Sequence, residues 1–167
     1  MKRLYRFINI LFLLSIILYL WDVFYIDHPV NNISFSNKLG DNEHIDFGSY
    51  GLIYQHYQLD TFENRYNLKK ELMGCLLDTT IIFKQEGLLT IRFLVNKAGE
   101  ADRFRPTFID AKYRELNRTE DEQAIHRVIA CLKSKKHWQK GTVQGKPRKY
   151  HTYMNIRIEN GRINDFF

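Results

Sequence analysis

The most regular pattern in the chain is an alternation of side chains between Lys149 and Glu159. Charged and polar residues occupy the odd-numbered positions. The even-numbered positions carry Tyr150, Thr152, Met154, Ile156 and Ile158. A period of two predicts a β-strand, and one apolar face with one polar face is typical of an antiparallel sheet covered on a single side. We therefore predict that this last strand packs its even-numbered residues against the core.

Two earlier strands are predicted to form a hairpin. Leu88–Val95 is rich in β-branched and apolar residues, and Arg103–Ile109 is the returning strand. Asn96–Glu100 lies between them as a turn, in which Gly99 is free to adopt a positive φ. Pro106 has no amide hydrogen to donate, so we expect it in an edge strand or at a bulge.

Two amphipathic helices flank the hairpin. The first begins as early as Thr61, and the second begins at Thr119, where Thr119 and Glu122 form a capping box. Their apolar stripes are Leu68, Leu72, Cys75 and Leu76, and then Ile125, Val128, Ile129 and Leu132. The order of elements predicts an α+β fold, in which the two helices pack on one face of a small three-stranded antiparallel sheet.

The N-terminal region carries an apolar stretch of 20 residues, Phe7–Ile26, preceded by three cations and interrupted by Asp22. This length matches a transmembrane helix, and the preceding cations favour a cytoplasmic N-terminus. A cleaved signal peptide is the alternative, but no small-x-small cleavage site follows Leu20. The predicted organisation is a cytoplasmic segment (1–6), a transmembrane anchor (7–26), a linker (27–60) and a folded domain (61–167).

Charge is distributed unevenly along the 167 residues, whose formal net charge is +6. Residues 68–167 hold 20 Lys and Arg against 12 Asp and Glu, whereas residues 7–67 are acidic. A basic domain suits nucleic acid, anionic lipid or an acidic protein surface as a partner, or it is a solvated surface rich in Lys and Arg. We expect no nucleic-acid binding, because the domain is predicted to lie outside the cytoplasm.

Few residues carry recognisable chemistry. The six histidines are scattered, with no Cys or carboxylate at a metal-binding spacing, and the common nucleotide-binding motifs are absent from the sequence. We therefore expect no enzymatic activity, no cofactor and no metal. Cys75 and Cys131 lie on the apolar faces of the two helices, where they form either a disulfide or two buried free thiols.

The second half of the chain resembles the C-terminal domain of the TonB energy-transducer family. The resemblance begins with Ile91–Glu100, which is similar to the family's first strand and its glycine turn. It continues through the helix Glu120–Leu132 and is strongest at Trp138–Pro147, which resembles the family's W-x-P-G-x-x-x-G-K-P run before its last strand. The chain lacks the family's long Pro-rich spacer and the histidine of its anchor.

The resemblance implies a periplasmic protein-binding module anchored in the inner membrane of a Gram-negative cell envelope. Such a module binds an outer-membrane transporter or another envelope protein by strand addition, with inner-membrane proton-motor proteins as further partners. The partner-binding residues expected on the last strand are Lys149, Tyr150, His151, Tyr153, Asn155 and Arg157. The alternatives are an envelope adaptor without motor coupling and an anchored hydrolase.

Overall fold

The computed structural model describes residues 2–21, 33–48, 53–61 and 64–167, and it divides the chain into two compact units, 1–34 and 35–167. The described part of the first unit contains one long helix, α1 (Lys2–Trp21). Within the described residues, no helix combines the length and the apolar character that crossing a bilayer requires. The predicted transmembrane anchor and the single-pass inner-membrane, periplasmic localisation are therefore wrong.

The physical reason lies in the bounds of α1. α1 takes in the three cations that precede the apolar stretch, and it covers the predicted span only from Phe7 to Trp21. The other positions of that prediction, Asp22–Ile26, lie outside the described residues. The part of that span inside the helix, Phe7–Trp21, is about 22 Å long at a rise of roughly 1.5 Å per residue. A hydrocarbon core is about 30 Å thick.

The second unit is built around a five-stranded mixed sheet. Its strands are β1 (Tyr54–Gln55), β2 (Gly87–Val95), β3 (Ala101–Ile109), β6 (Tyr150–Glu159) and β7 (Arg162–Phe166). The order across the sheet is β1-β6-β2-β3, and β7 also pairs with β6. The pairing of β1 with β6 is parallel, and all the other pairings are antiparallel.

The predicted three-stranded sheet with two helices is therefore wrong. The strands β2, β3 and β6 were predicted, but β1 and β7 have two and five residues and show no usable alternation in the sequence. The predicted loop Trp138–Pro147 instead forms most of a small separate hairpin of β4 (Gly141–Val143) and β5 (Lys146–Arg148). Its two turn residues, Gln144 and Gly145, both have positive φ, which suits a tight hairpin turn.

Two helices pack against the sheet and begin later than the sequence predicted. α2 (Arg65–Leu76) starts after Asn64, whose side chain accepts hydrogen bonds from the first-turn amides. α3 (Glu122–Ser134) starts after Asp121. The predicted cap Thr119 lies instead in a short 3-10 helix, where its hydroxyl donates to the Asn117 side chain at 2.8 Å.

The core lies between the two helices and one face of the sheet. The even-numbered side chains of β6 face it as predicted, and Tyr150, Met154, Ile156 and Ile158 are buried. They pack with the buried residues of the neighbouring strands, Leu89, Ile91, Phe93, Val95, Phe104 and Phe108. A disulfide between Cys75 and Cys131 joins α2 to α3, with the two Cα atoms 5.9 Å apart.

Strand β3 forms the far edge of the sheet and contains a β-bulge. Its register against β2 shifts between Arg92 and Leu94, and Arg103, opposite the shift, has a φ of 60°. Pro106 lies in this edge strand, as the sequence predicted. Two outward carbonyl oxygens of β3, those of Pro106 and Phe108, already accept hydrogen bonds from Arg118 and Leu116.

Candidate functional site

The six residues predicted to contact a partner do not share one surface. Lys149 and Tyr150 are buried, with the Lys149 amine donating to the Phe47 carbonyl at 2.8 Å and the Tyr150 hydroxyl to the Gln139 carbonyl at 2.8 Å. His151 and Asn155 are half-buried, and Tyr153 and Arg157 are exposed.

Strand β6 is an internal strand for most of its length. On one side β2 pairs with it from Tyr150 to Ile158. On the other side β1 pairs with its first two residues, and β7 pairs with Ile156–Glu159. Asn155 also exchanges two backbone hydrogen bonds with Phe167, both of 2.9 Å. The long open edge expected from the sequence is therefore reduced to the short interval between His151 and Asn155.

Tyr153 presents its backbone at the centre of this interval. Successive residues of an antiparallel ladder direct their amide and carbonyl groups alternately to the two neighbouring strands. Because Asn155 pairs outward with Phe167, Tyr153, two residues earlier, also directs both of its groups outward. Within the described part of the chain, no strand pairs with Tyr153 on that side.

A groove of about 520 Å³ opens beside this interval, on the helix side of the sheet. Met154 and Thr152 contribute to it from β6, Arg65 and Leu68 from α2, and His56 and Tyr57 from the 3-10 helix that follows β1. The remaining lining residues are Phe93, Trp138, Tyr150, Tyr153 and Phe167. We call this the β6 groove. It is mainly aromatic, and none of the described residues that line it is acidic.

Two ring nitrogens in the walls of the β6 groove lack hydrogen-bond partners among the described residues. They are Nε1 of Trp138, a residue that is 3 % exposed, and Nδ1 of His56. Burial lowers the pKa of His56 below its ordinary value, and the positive charge of Arg65 lowers it further. A buried polar group without a partner is costly, and a ligand or water is a usual reason for finding one.

His151 lies on the opposite face of β6 and is held neutral. Its Nδ1 is 2.9 Å from the Gln55 side-chain oxygen, across the pairing of β1 with β6. Burial lowers its pKa to about 4, and the positive charge of Arg92 and the neighbouring His56 contribute in the same direction. His151 therefore has a structural role in holding β1 against β6, which keeps the 3-10 helix at the rim of the β6 groove.

A second groove, of about 660 Å³, lies between α3, Pro106 and the segment Asn37–Gly40. Two of the cations that line it pair with nearby carboxylates: Lys133 with Asp102 at 3.5 Å and Arg118 with Glu115 at 3.9 Å. The strand edge beside it contains Pro106, which has no amide hydrogen to offer a partner. The β6 groove is therefore the better candidate site.

Sequence reasoning identified Tyr153 and noted Trp138 within the glycine-containing run, but it missed His56, Arg65 and Phe167. No local pattern marks these three residues, because only the path of the chain brings them to the same strand. Within the described ranges, no group of three or more His, Cys, Asp or Glu side chains is placed to hold a metal ion. Comparison of the chain with family models, curated proteins and solved structures gave no match. The resemblance to the TonB family therefore stays a prediction.

Proposed function

We propose that the chain is a protein-binding module that captures an extended peptide segment of another protein at the outer edge of β6. The observation that carries this proposal is the outward-directed backbone of Tyr153, which has no strand partner among the described residues and lies between β1 and Phe167. An extended peptide gains affinity from such an edge by continuing its ladder, and specificity from adjacent pockets for its side chains.

The β6 groove supplies the pocket that this mode of binding requires. Side chains of a strand alternate between the two faces of a sheet, so a peptide paired with Tyr153 would direct every second side chain to the helix side. The aromatic walls favour a large apolar side chain there. Arg65, the cation among the lining residues, favours a peptide with a carboxylate nearby.

The buried nitrogens support the same interpretation. The Trp138 indole N–H has no hydrogen-bond partner among the described residues, and a peptide carbonyl entering the groove is a suitable acceptor. The resemblance to TonB-type domains agrees with this mode of binding, since that family captures its partner by strand addition. Participation in energy-dependent transport rests on the resemblance alone.

The test begins with selection of ten-residue peptides from a random display library against the full chain. The selected peptide is labelled, and its Kd is measured by fluorescence polarisation. The chain is then made with an ester in place of the Tyr153 amide, which removes that N–H and keeps the side chain. Loss of one backbone hydrogen bond is worth about 0.5–1.5 kcal/mol, so binding should weaken roughly 2- to 13-fold.

The matched control is the same ester at Tyr113, whose amide donates within a distant turn, to the Asp110 carbonyl at 3.0 Å. That variant should bind the peptide as the unmodified chain does. A Trp138→Phe variant, which removes the indole N–H together with the five-membered ring, should also bind more weakly. Failure to enrich any peptide, or equal binding by the Tyr153 and Tyr113 ester variants, would overturn the proposal.

A further inference from the structure

We propose that β7, a strand of the same chain, occupies part of the peptide-binding edge of β6 in the way a partner peptide would. Its sequence then shows which partner strands fit there. This inference rests on the proposed function. β7 runs antiparallel to β6 from Glu159 to Ile156, and Phe167 continues the ladder to Asn155. A strand following this path for two more residues reaches Tyr153, because pairing in such a ladder advances one residue for each residue of its partner.

Three side chains of β7 are buried or contact α2. Ile163 and Phe166 are buried, at 8 % and 3 % exposure. Asp165 lies between them in sequence and forms a salt bridge with Lys69 of α2. The Lys69 amine also lies 5.6 Å from the centre of the Phe166 ring. Lys69 therefore contacts both the carboxylate and the aromatic ring of the strand seated on the edge.

The remaining β7 side chains make no comparable contact with the helix. Arg162 and Asn164 are exposed, and Asn164 donates to the Glu159 carboxylate of the neighbouring strand. The edge therefore selects four consecutive residues: an apolar residue, a residue of any type, an acidic residue and an aromatic residue. β7 carries this pattern as Ile163-Asn164-Asp165-Phe166. The partner that fits is an extended segment with this pattern, followed by at least three residues that reach Tyr153.

The pairing of β7 with β6 is interrupted, and its packing against α2 leaves a cavity. Its register against β6 shifts between Arg157 and Ile158, so that the ladder is interrupted within a strand of five residues. A cavity of about 180 Å³ lies between the start of α2 and residues Phe166 and Phe167, and it is also lined by Tyr66, Leu68, Lys69 and Met154. A partner strand that follows this path as far as Tyr153 makes every pairing that β7 makes and also pairs with the backbone groups of Tyr153.

The first experiment is a charge exchange with two labelled probes, Gly-Arg-Ile-Asn-Asp-Phe-Phe-Thr-Val and the same peptide with Lys in place of Asp. The full chain should bind the Asp probe at least about fivefold more tightly than the Lys probe. The Lys69→Glu variant should reverse this preference. Lys70→Glu is the matched control, since it makes the same charge change one residue away and should keep the original preference.

The second experiment weakens the internal competitor. Phe166→Ala removes the aromatic side chain that anchors β7. Because β7 and the probe compete for the same edge, the variant should bind the Asp probe at least about tenfold more tightly than the unmodified chain does. Circular dichroism and a melting curve establish that the variant is folded. If it unfolds, Asp165→Asn is used, for which tightening of two- to threefold is expected.

Two results would overturn the inference: no reversal with Lys69→Glu, or unchanged probe binding when β7 is weakened in a folded variant. Either result leaves the proposed function standing if a library-selected peptide still depends on the Tyr153 amide. The converse outcome is probe binding that changes with Lys69→Glu but not with the Tyr153 ester. That result supports replacement of β7 by the probe at the edge of β6 and contradicts pairing of the probe with Tyr153. The failures of the two proposals are thus distinguishable.

Discussion

Asp41 and Arg105 form a buried, two-pronged ion pair that fastens the segment 35–48 to the sheet. The two guanidinium nitrogens of Arg105 donate to the two carboxylate oxygens of Asp41 at 2.9 and 2.6 Å. The Arg105 side chain is only 10 % exposed and the Asp41 side chain only 2 %. The linker predicted for residues 27–60 therefore includes a part, from Phe35 onward, that belongs to the folded unit. Residues 27–32 and 49–52 of that prediction lie outside the described residues.

Asp41→Asn should destabilise the folded unit by about 3–5 kcal/mol, because it removes the carboxylate charge that compensates the buried Arg105 guanidinium. Chemical denaturation at neutral pH measures the loss. Asp41→Asn combined with Arg105→Met should recover part of it, since both charged groups are then gone. A loss below about 1 kcal/mol for the single variant would mean that segment 35–48 does not depend on this ion pair.

Acid should weaken the same contact. Burial alone raises the pKa of Asp41, but the hydrogen bonds from Arg105 and the Ser36 amide and the charge of Arg105 outweigh burial, so the pKa is lowered. A carboxyl with a lowered folded-state pKa stabilises the fold above its ordinary pKa of 3.8, and that contribution is lost as the pH falls below it. Asp41→Asn should therefore show a shallower loss of stability below about pH 4.

Reduction of the disulfide should lower the free energy of unfolding by about 4 kcal/mol in the chain-entropy model, since Cys75 and Cys131 are 56 residues apart in sequence. Denaturant curves with and without a thiol reductant measure the difference. The Cys75→Ala, Cys131→Ala double variant is the control and should be insensitive to reductant. Thiol labelling of the denatured chain should find no free thiol, and mass mapping should find the bond within one chain.

His151 should make stability fall in mild acid. Its folded-state pKa, about 4, lies below the ordinary value of 6.5, so the unfolded chain takes up the proton more readily. This contribution is fully present above about pH 6.5 and is lost as the pH falls from there towards 4. The groups that act on His151 are Arg92 of β2 and His56. A His151→Gln variant should show a flatter profile between pH 4 and 6.5, measured by urea unfolding.

Asn155→Pro should damage the fold and not merely an exposed edge. The Asn155 amide donates to the Phe167 carbonyl at 2.9 Å, and its side-chain oxygen accepts from the Thr90 hydroxyl at 2.9 Å. Proline removes the amide hydrogen and restricts an internal strand, so we expect destabilisation of at least about 2 kcal/mol. Asn155→Ala keeps the backbone pairing and separates the two effects. Unchanged stability of the proline variant would mean that β6 does not pair with Phe167 in solution.

The local patterns of the sequence were sufficient for the largest elements. The alternation in Lys149–Glu159 identified β6 and its buried face, since a half-buried strand must place its apolar residues at every second position. The turn at Gly99 and the edge position of Pro106 follow from backbone properties that one residue carries by itself. For α3, the apolar stripe located the helix, but the hydrogen bond from Thr119 to Asn117 moved its start to Glu122.

Tertiary structure alone decided the order of strands and thereby the binding edge. β1 and β7 are too short to show a hydrophobic periodicity in the sequence. Their pairings nevertheless decide that, among the described residues, the unpaired outer edge of β6 is centred on Tyr153. The pairings of Asp41 with Arg105 and of Lys69 with Asp165 join residues 64 and 96 positions apart. A sequence determines which face of a strand is apolar, because that depends on neighbouring residues. Which strands and side chains meet depends on packing across the whole unit, and no local pattern encodes it.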